Sequence, residues 1–221
     1  DLLAAHEIPV TLVATVRNGL NTDVLGDLLR FGLKHPAVRG LNLQCEARFG
    51  RTTPADRASD RATQTQLVRA LEKQAPELLE AGDFLPLSCG LASMAYLESI
   101  DGAWKPLPPL LAEAIQGNPM TTSIEDIKNL AEGLCACRSA ALLQELAGRL
   151  PQNLFELPIE ARSRLVQERF FHITIMSFLD RHNFDIDRAS RECTHIVQPD
   201  GRKIAFSAFN TRYRHREDIR V

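Results

Sequence analysis

Apolar and polar positions at the start of the chain follow the pattern of a strand, a helix and a second strand. Residues 8–16 form a nearly continuous apolar, β-branched run, which is typical of a strand covered on both faces. A broad helical stripe of apolar residues follows over 24–33. The His35-Pro36 pair ends it, because a proline disfavours the α region for the residue before it. A further apolar run over 38–43 completes a predicted βαβ unit with parallel strands.

Polar residues follow both predicted strands, at the position where functional groups collect in βαβ units. The candidates after the two strands are Arg17, Asn18, Asn21, Gln44, Cys45, Glu46, Gly50 and Arg51. The glycines among these segments, Gly19 and Gly50, are explained equally well as ordinary turn residues.

Farther along, two Asp-Gly pairs lie between short β-prone runs, at residues 101–102 and 200–201. Each pair predicts a β-hairpin, since glycine adopts positive φ without strain. A cysteine lies upstream of each hairpin, Cys89 before the first and Cys193 before the second. The sequence therefore predicts a repeated layout of one thiol followed by one hairpin.

Three helices are predicted between the hairpins, which makes this region mostly helical. One begins at Thr122, a second covers 139–150, and a long one runs from about Pro158 to Asp180. His172 lies on the apolar face of the long helix, where we expect a core histidine.

The composition is that of an ordinary globular protein and excludes several classes. The 221 residues are 44% hydrophobic and 24% charged, with a net charge of −2. The longest mostly apolar run, 171–179, is too short to span a bilayer, so no transmembrane segment is predicted. Five cysteines are too sparse for a disulfide scaffold, which favours the reducing cytoplasm. No Gly-x-Ser-x-Gly, Gly-x-Gly-x-x-Gly or P-loop sequence is present, which argues against the hydrolase and dehydrogenase classes.

The C-terminal end is basic, with five Arg and His residues close together. These residues are Arg212, Arg214, His215, Arg216 and Arg220. An anion or a lipid headgroup would suit them, but a solvated tail is the interpretation that such charge runs favour. Nucleic acid is not the expected partner.

The βαβ segment is similar to the fifth strand, helix and sixth strand of radical S-adenosylmethionine (SAM) barrels. It reads VTLVATVRNGLNTDVLGDLLRFGLKHPAVRGLNLQ over residues 10–44. Members of that family end a strand in Gly-x-Asn, as residues 19–21 do here, and the next strand ends beside the SAM adenosine. The resemblance implies that Val16, Asn21 and Gln44 lie near SAM. It also implies an α/β fold in which residues 1–85 form the C-terminal part of a (β/α) barrel.

The rest of the chain resembles extensions of the same superfamily. Residues 178–210 closely resemble the C-terminal motif of the tetraether lipid synthase group, and 83–108 resemble its middle region. The resemblance implies an extension over 86–221 with Cys89 and Cys193 as metal ligands. Ser207 stands where that group has a closing cysteine, so the ligand set for an auxiliary iron–sulfur cluster is incomplete. The alternative for all five cysteines is that they are small buried residues.

The resemblance implies a radical SAM enzyme that uses SAM and a 4Fe–4S cluster. Its deoxyadenosyl radical would abstract hydrogen from an unactivated carbon of a small-molecule or lipid substrate, with C–C bond chemistry as one outcome. The family's Cys-x-x-x-Cys-x-x-Cys is not in this sequence, so we expect it upstream and expect this piece to be inactive alone. The alternative is a non-catalytic binding module on the same scaffold. A missing N-terminal barrel segment or another chain is expected to cover the open strand edge.

Overall fold

The computed structural model describes residues 1–49, 60–86, 90–107, 158, 161, 168–192 and 194–214. Within them, the main sheet has six strands, and a separate pair of strands lies near the C-terminus. The strands are β1 (Val10–Val16), β2 (Val38–Cys45), β3 (Leu85–Pro86), β4 (Ala92–Ile100), β5 (Ala103–Pro106), β6 (Phe170–Met176), β7 (His195–Val197) and β8 (Lys203–Ala205). The helices are α1 (Leu2–Ala5), α2 (Leu25–Lys34), α3 (Gln64–Gln74), a 3-10 turn (Ala81–Asp83), α4 (Ile186–Ser190) and α5 (Phe206–Ala208), which continues as a π-helical turn (Phe209–Tyr213).

The predicted parallel pair and its connecting helix are confirmed. Strands β1 and β2 run parallel, with Val16 opposite Cys45 at their carboxyl ends, and α2 lies between them in the chain. The prediction that β1 is covered on both faces is wrong. Its residues alternate between partly buried and exposed up to the buried Val16, and Val13 remains 60% exposed. The apolar run therefore reflects β-branched residues that favour a strand, rather than two-sided burial.

Residues 170–176 form strand β6, so the helix predicted from Pro158 to Asp180 is wrong over this segment. Strand β6 lies between β2, which it pairs in parallel, and β4, which it pairs antiparallel. Ile173, Thr174 and Ile175 are β-branched and favour a strand, whereas a short apolar run alone fits either element. The helices predicted from Thr122 and over 139–150 lie outside the described residues.

The sheet order is β1-β2-β6-β4-β3, with β5 also on β4. Strands from both sides of residue 85 therefore lie in one sheet. The structure has an antiparallel turn at each Asp-Gly pair, joining β4 to β5 and β7 to β8. Asp101, Gly102 and Gly201 have φ of 51°, 79° and 82°, which explains the glycine at both turns.

One face of the sheet and the helices α2 and α3 enclose the main core. Alternate residues of β1, β2, β6 and β4 point to this face, and most are apolar; Ser93 near the start of β4 and Ser99 near its end are polar. The buried contributors are Val16, Leu25, Leu29, Leu41, Leu43, Cys45, Leu67, Leu71, Ala95, Leu97, Phe171, Ile173 and Ile175. No helix in the described part of the chain is both long and apolar enough to cross a membrane.

On the opposite face, the imidazole of His172 lies directly against Gly40, its register partner on β2. A Cβ at position 40 would overlap this ring. His172 therefore packs on a strand, as a largely buried side chain, and not on a helix as expected. The absence of a side chain at Gly40 is what allows β2 and β6 to pair with the ring between them.

We expect Gly40→Ala to lower the free energy of unfolding by about 1–3 kcal/mol, because the new methyl group forces the buried ring to move. Urea denaturation measures the change. Gly82→Ala is the matched control, since nothing lies within 4 Å of its added Cβ. Removing the ring as well, in Gly40→Ala/His172→Ala, should give a loss smaller than the sum of the two single changes. Strict additivity would contradict the proposed overlap.

Candidate functional site

The carboxyl ends of β1, β2 and β6 meet at one edge of the sheet, since the three strands run in parallel. The segments that follow them carry Arg17, Glu46 and Asp180. Ligand sites of parallel sheets form at this edge. The candidate site is therefore built from these three segments and from residues 60–66, which lie against them.

Asp180 is the fully buried carboxylate at the centre of this edge. Its Oδ2 accepts hydrogen bonds from the Arg61 guanidinium at 2.5 Å and the Arg48 backbone N–H at 2.6 Å. Its Oδ1 accepts one from the His182 N–H at 2.9 Å. Burial alone would raise the pKa of Asp180, but these hydrogen bonds and the Arg61 charge outweigh it and lower the pKa. Asp180 is therefore held as an anion that joins the segments after β2 and β6.

Arg17 extends the same network to the end of β1. Its guanidinium donates to Asp60 Oδ2 at 2.9 Å and lies 3.8 Å from Glu46 Oε2. The neighbouring Asn18 donates from its side chain to the Arg61 carbonyl at 2.7 Å. All three strand ends are thus cross-linked by charged and polar groups.

The three residues expected near SAM lie at or just after the carboxyl ends of β1 and β2 but have different environments. Val16 is fully buried in the core beside the helices. Asn21 accepts a hydrogen bond from the Arg17 N–H and donates one to the Thr15 carbonyl, both at 2.9 Å, so it fastens the turn after β1. Gln44 is on the opposite face of the sheet, level with Thr15, and its side chain makes no hydrogen bond to any described residue. Of the three, Gln44 presents the available polar group.

A cavity of about 530 Å³ lies on the helix side of this edge. It is bordered by the ends of β2 and β6 and by the start of α3. Gln64 bridges its floor, donating to Ser177 Oγ at 2.7 Å and accepting from Ser93 Oγ at 3.0 Å. The Arg188 guanidinium closes one side by donating to the Gly90 carbonyl. The cavity is of the size that small ligands occupy.

The described residues do not fit a metal cluster. They contain no group of three or more His, Cys, Asp or Glu side chains placed to hold a metal ion. Cys45 is buried in the core, and burial raises the pKa of its thiol to about 11. Cys89 and Cys193, the expected ligands, lie outside the described residues. A 4Fe–4S cluster would have to be held by other parts of the protein.

Ser207, at the position of the expected closing cysteine, is fully buried and has a structural role. Its hydroxyl donates to Glu192 Oε1 at 2.8 Å and accepts from the Leu179 N–H at 3.0 Å. Its backbone N–H donates to Glu192 Oε2 at 2.9 Å. This serine therefore anchors α5 to the segment after β6.

Sequence reasoning identified Arg17, Asn18 and Glu46 at this edge but missed Asp180 and Arg61. Asp180 lies 119 residues from Arg61 and 132 from Arg48. No local pattern could have paired groups so far apart in the chain.

No family model matches the chain. It is similar to the 7,8-dihydro-6-hydroxymethylpterin dimethyltransferase of Methanocaldococcus jannaschii, with 24% identity over 257 residues. The match covers 95% of this chain and 49% of the relative, so the chain spans about half the relative's length. This similarity supports the radical SAM superfamily expected from the sequence, and with it an enzyme relationship, but not the tetraether lipid synthase group.

We expect Asp180→Asn to lower the free energy of unfolding at neutral pH by about 2–4 kcal/mol, because Arg61 loses its buried partner. The folded pKa of Asp180 lies below the unfolded value of about 3.9. Its contribution is therefore fully present above that value and is lost as the pH falls through the folded pKa. Urea denaturation of both proteins between pH 7 and pH 3 should show the difference shrinking in acid.

The matched control for this experiment is Asp27→Asn, in a solvent-exposed i,i+3 pair with Arg30. It should leave stability nearly unchanged, because exposed ion pairs contribute little. A loss in Asp180→Asn that is the same at pH 3 as at pH 7 would show that the buried charge is not its cause.

Proposed function

We propose that this chain is the C-terminal part of a radical SAM enzyme, in which the carboxyl edge of β1 and β2 binds the adenosyl part of SAM. The observation that carries the proposal is Gln44. Its amide is unpartnered among the described residues and lies at the end of β2, on the sheet face away from the helices. The similarity to a dimethyltransferase and the parallel sheet support the same assignment.

The residues present fit an adenosyl group in distinct roles. Gln44 would hydrogen-bond it, with the exposed Thr15 at the same level on β1. Asn21 would act indirectly, since both ends of its amide hold the turn after β1 in place. Val16 would support the strand end from the core. Bound SAM, together with a reduced 4Fe–4S cluster, would supply one-electron chemistry that removes a hydrogen atom from an unactivated carbon.

The cluster ligands are proposed to come from a Cys-x-x-x-Cys-x-x-Cys segment upstream in the same protein. Such a segment, with its strands, would also cover the free edge of β1. That edge has no strand partner other than β2 among the described residues. A second chain in this position is the alternative partner, and the cytoplasm remains the proposed location.

Two substrate classes are proposed for the reaction. A lipid with C–C bond chemistry follows from the C-terminal motif. A 7,8-dihydropterin that receives methyl groups follows from the name of the relative. Near the strand ends, the rings of Phe49, Phe178 and Phe206 pack on one another with centroids 5.3–6.5 Å apart. All three are partly exposed, and Phe178 also lines the cavity, so these rings are compatible with either class.

A non-catalytic binding module is the alternative function. The observation that favours it is Ser207, whose hydroxyl is committed to Glu192 and Leu179 at the position of an expected cysteine ligand. A module of this kind would retain the ligand-binding edge without any cluster.

The test uses the full-length protein, reconstituted anaerobically with iron and sulfide. We expect reductive cleavage of SAM to 5′-deoxyadenosine, detected by mass spectrometry. Gln44→Leu should raise the Kd for SAM about tenfold, because a hydrogen-bonding group is lost. Thr11→Val, on the same face but near the start of β1, should leave the Kd unchanged. No 5′-deoxyadenosine from the unaltered protein would support the binding module instead.

Iron content tests the proposed ligands Cys89 and Cys193. If these thiols bind an auxiliary cluster, Cys89→Ala and Cys193→Ala should each lower the iron content of the full-length protein by about four atoms per chain. Cys45→Ala is the matched control and should change nothing, since its thiol is buried and protonated. Equal iron in all four proteins would remove Cys89 and Cys193 from the metal site.

A further inference from the structure

On the sheet face away from the helices, each of two rows that cross the strands contains two polar, uncharged side chains. The row at the carboxyl ends is Thr15, Gln44, Met176 and Ala92, and the next row is Val13, Asn42, Thr174 and Met94. On the helix side, the same strands present apolar residues almost throughout. The polarity of the second row is therefore not a general property of these strands.

Asn42 and Thr174 are direct register partners in the second row, on adjacent parallel strands about 4.8 Å apart. Asn42 Oδ1 is buried and accepts no hydrogen bond in the described structure. The Thr174 side chain is 4% exposed and likewise makes no hydrogen bond with a described residue. Buried polar groups in folded proteins are nearly always paired, so the unpaired Asn42 Oδ1 indicates a missing partner, and the Thr174 hydroxyl lies beside it.

The chemistry of this missing partner follows from the surroundings. The second row has no charged side chain. In the row after it, burial lowers the pKa of His172 and outweighs a hydrogen bond with the Arg39 backbone that acts in the opposite direction, so the ring is neutral. A charged ligand would lack a counter-charge here. A hydrocarbon chain would leave the Asn42 carbonyl unpaired. Met94, the register partner of Thr174, is 4% exposed and makes the end of this row apolar, with a flexible side chain.

We propose that Asn42 and Thr174 bind the substrate, a neutral heteroaromatic ring with an N–H that donates to Asn42 Oδ1. The inference rests on the proposed function, in which the Gln44 row holds the adenosyl group. Two residues along a strand separate the rows by about 6.6 Å, so a substrate in the second row lies next to the cofactor. Asn42 and Thr174 thereby select a polar ring over a lipid chain.

The experiment measures binding to the full-length protein with two probes, 6-hydroxymethyl-7,8-dihydropterin and SAM. We expect Asn42→Leu to raise the Kd for the pterin about tenfold or more, and Thr174→Val to raise it several-fold. The Kd for SAM should not change in either variant. Thr11→Val repeats the Thr174→Val change at an exposed site on the same face and should leave both values unaltered. Thr174→Val is isosteric, so it remains informative if Asn42→Leu does not fold.

The possible results distinguish a failure of this inference from a failure of the proposed function. Loss of SAM binding in Asn42→Leu and Thr174→Val would assign the second row to the cofactor and overturn the inference. Binding of a long-chain saturated alcohol in place of the pterin, or unchanged pterin binding in both variants, would overturn it as well. Pterin binding that depends on Asn42, in a protein that neither binds nor cleaves SAM, would support the substrate site and reject the proposed SAM chemistry.

Discussion

The buried carboxylate of Asp180 is the interaction on which the carboxyl edge of the sheet depends. A charge with no exposure to water is costly unless it is paired and hydrogen-bonded, and here one guanidinium and two backbone N–H groups offset that cost. Because these donors come from different segments, the segments after β2 and β6 are held in one arrangement relative to Arg61. The turn after β1 joins them through Arg17 and Asp60.

Because side chains alternate along the strands, one face of the sheet packs in the core and the other face carries the residues proposed to bind ligands. Val16 and Cys45 point towards α2 and α3, where they pack in the core. Gln44 and Asn42 point the other way, where polar groups remain without partners in the described structure. The same strands can therefore be stabilised on one face while the other face keeps groups for a ligand, as expected for strands with period-two alternation.

The described residues offer positions for organic ligands but none for a metal ion. The chain spans about half the length of the relative that it matches. The serine at position 207 has a structural role in the described part of the chain. Its hydroxyl and backbone N–H donate to the two carboxylate oxygens of Glu192, so this buried carboxylate is paired within the protein.

The sequence by itself determined β1, α2 and β2, because short apolar runs rich in β-branched residues favour strands and a helical apolar stripe lies between them. It also placed turns at both Asp-Gly pairs through the need for positive φ. It also located Arg17, Gln44 and Glu46 at strand ends. Only the tertiary structure decided that residues 170–176 form a strand, since their apolar run fits either element until β2 and β4 supply partners on both sides. It likewise decided which face each residue occupies and which distant groups meet, because hydrogen bonds across more than a hundred residues leave no local pattern.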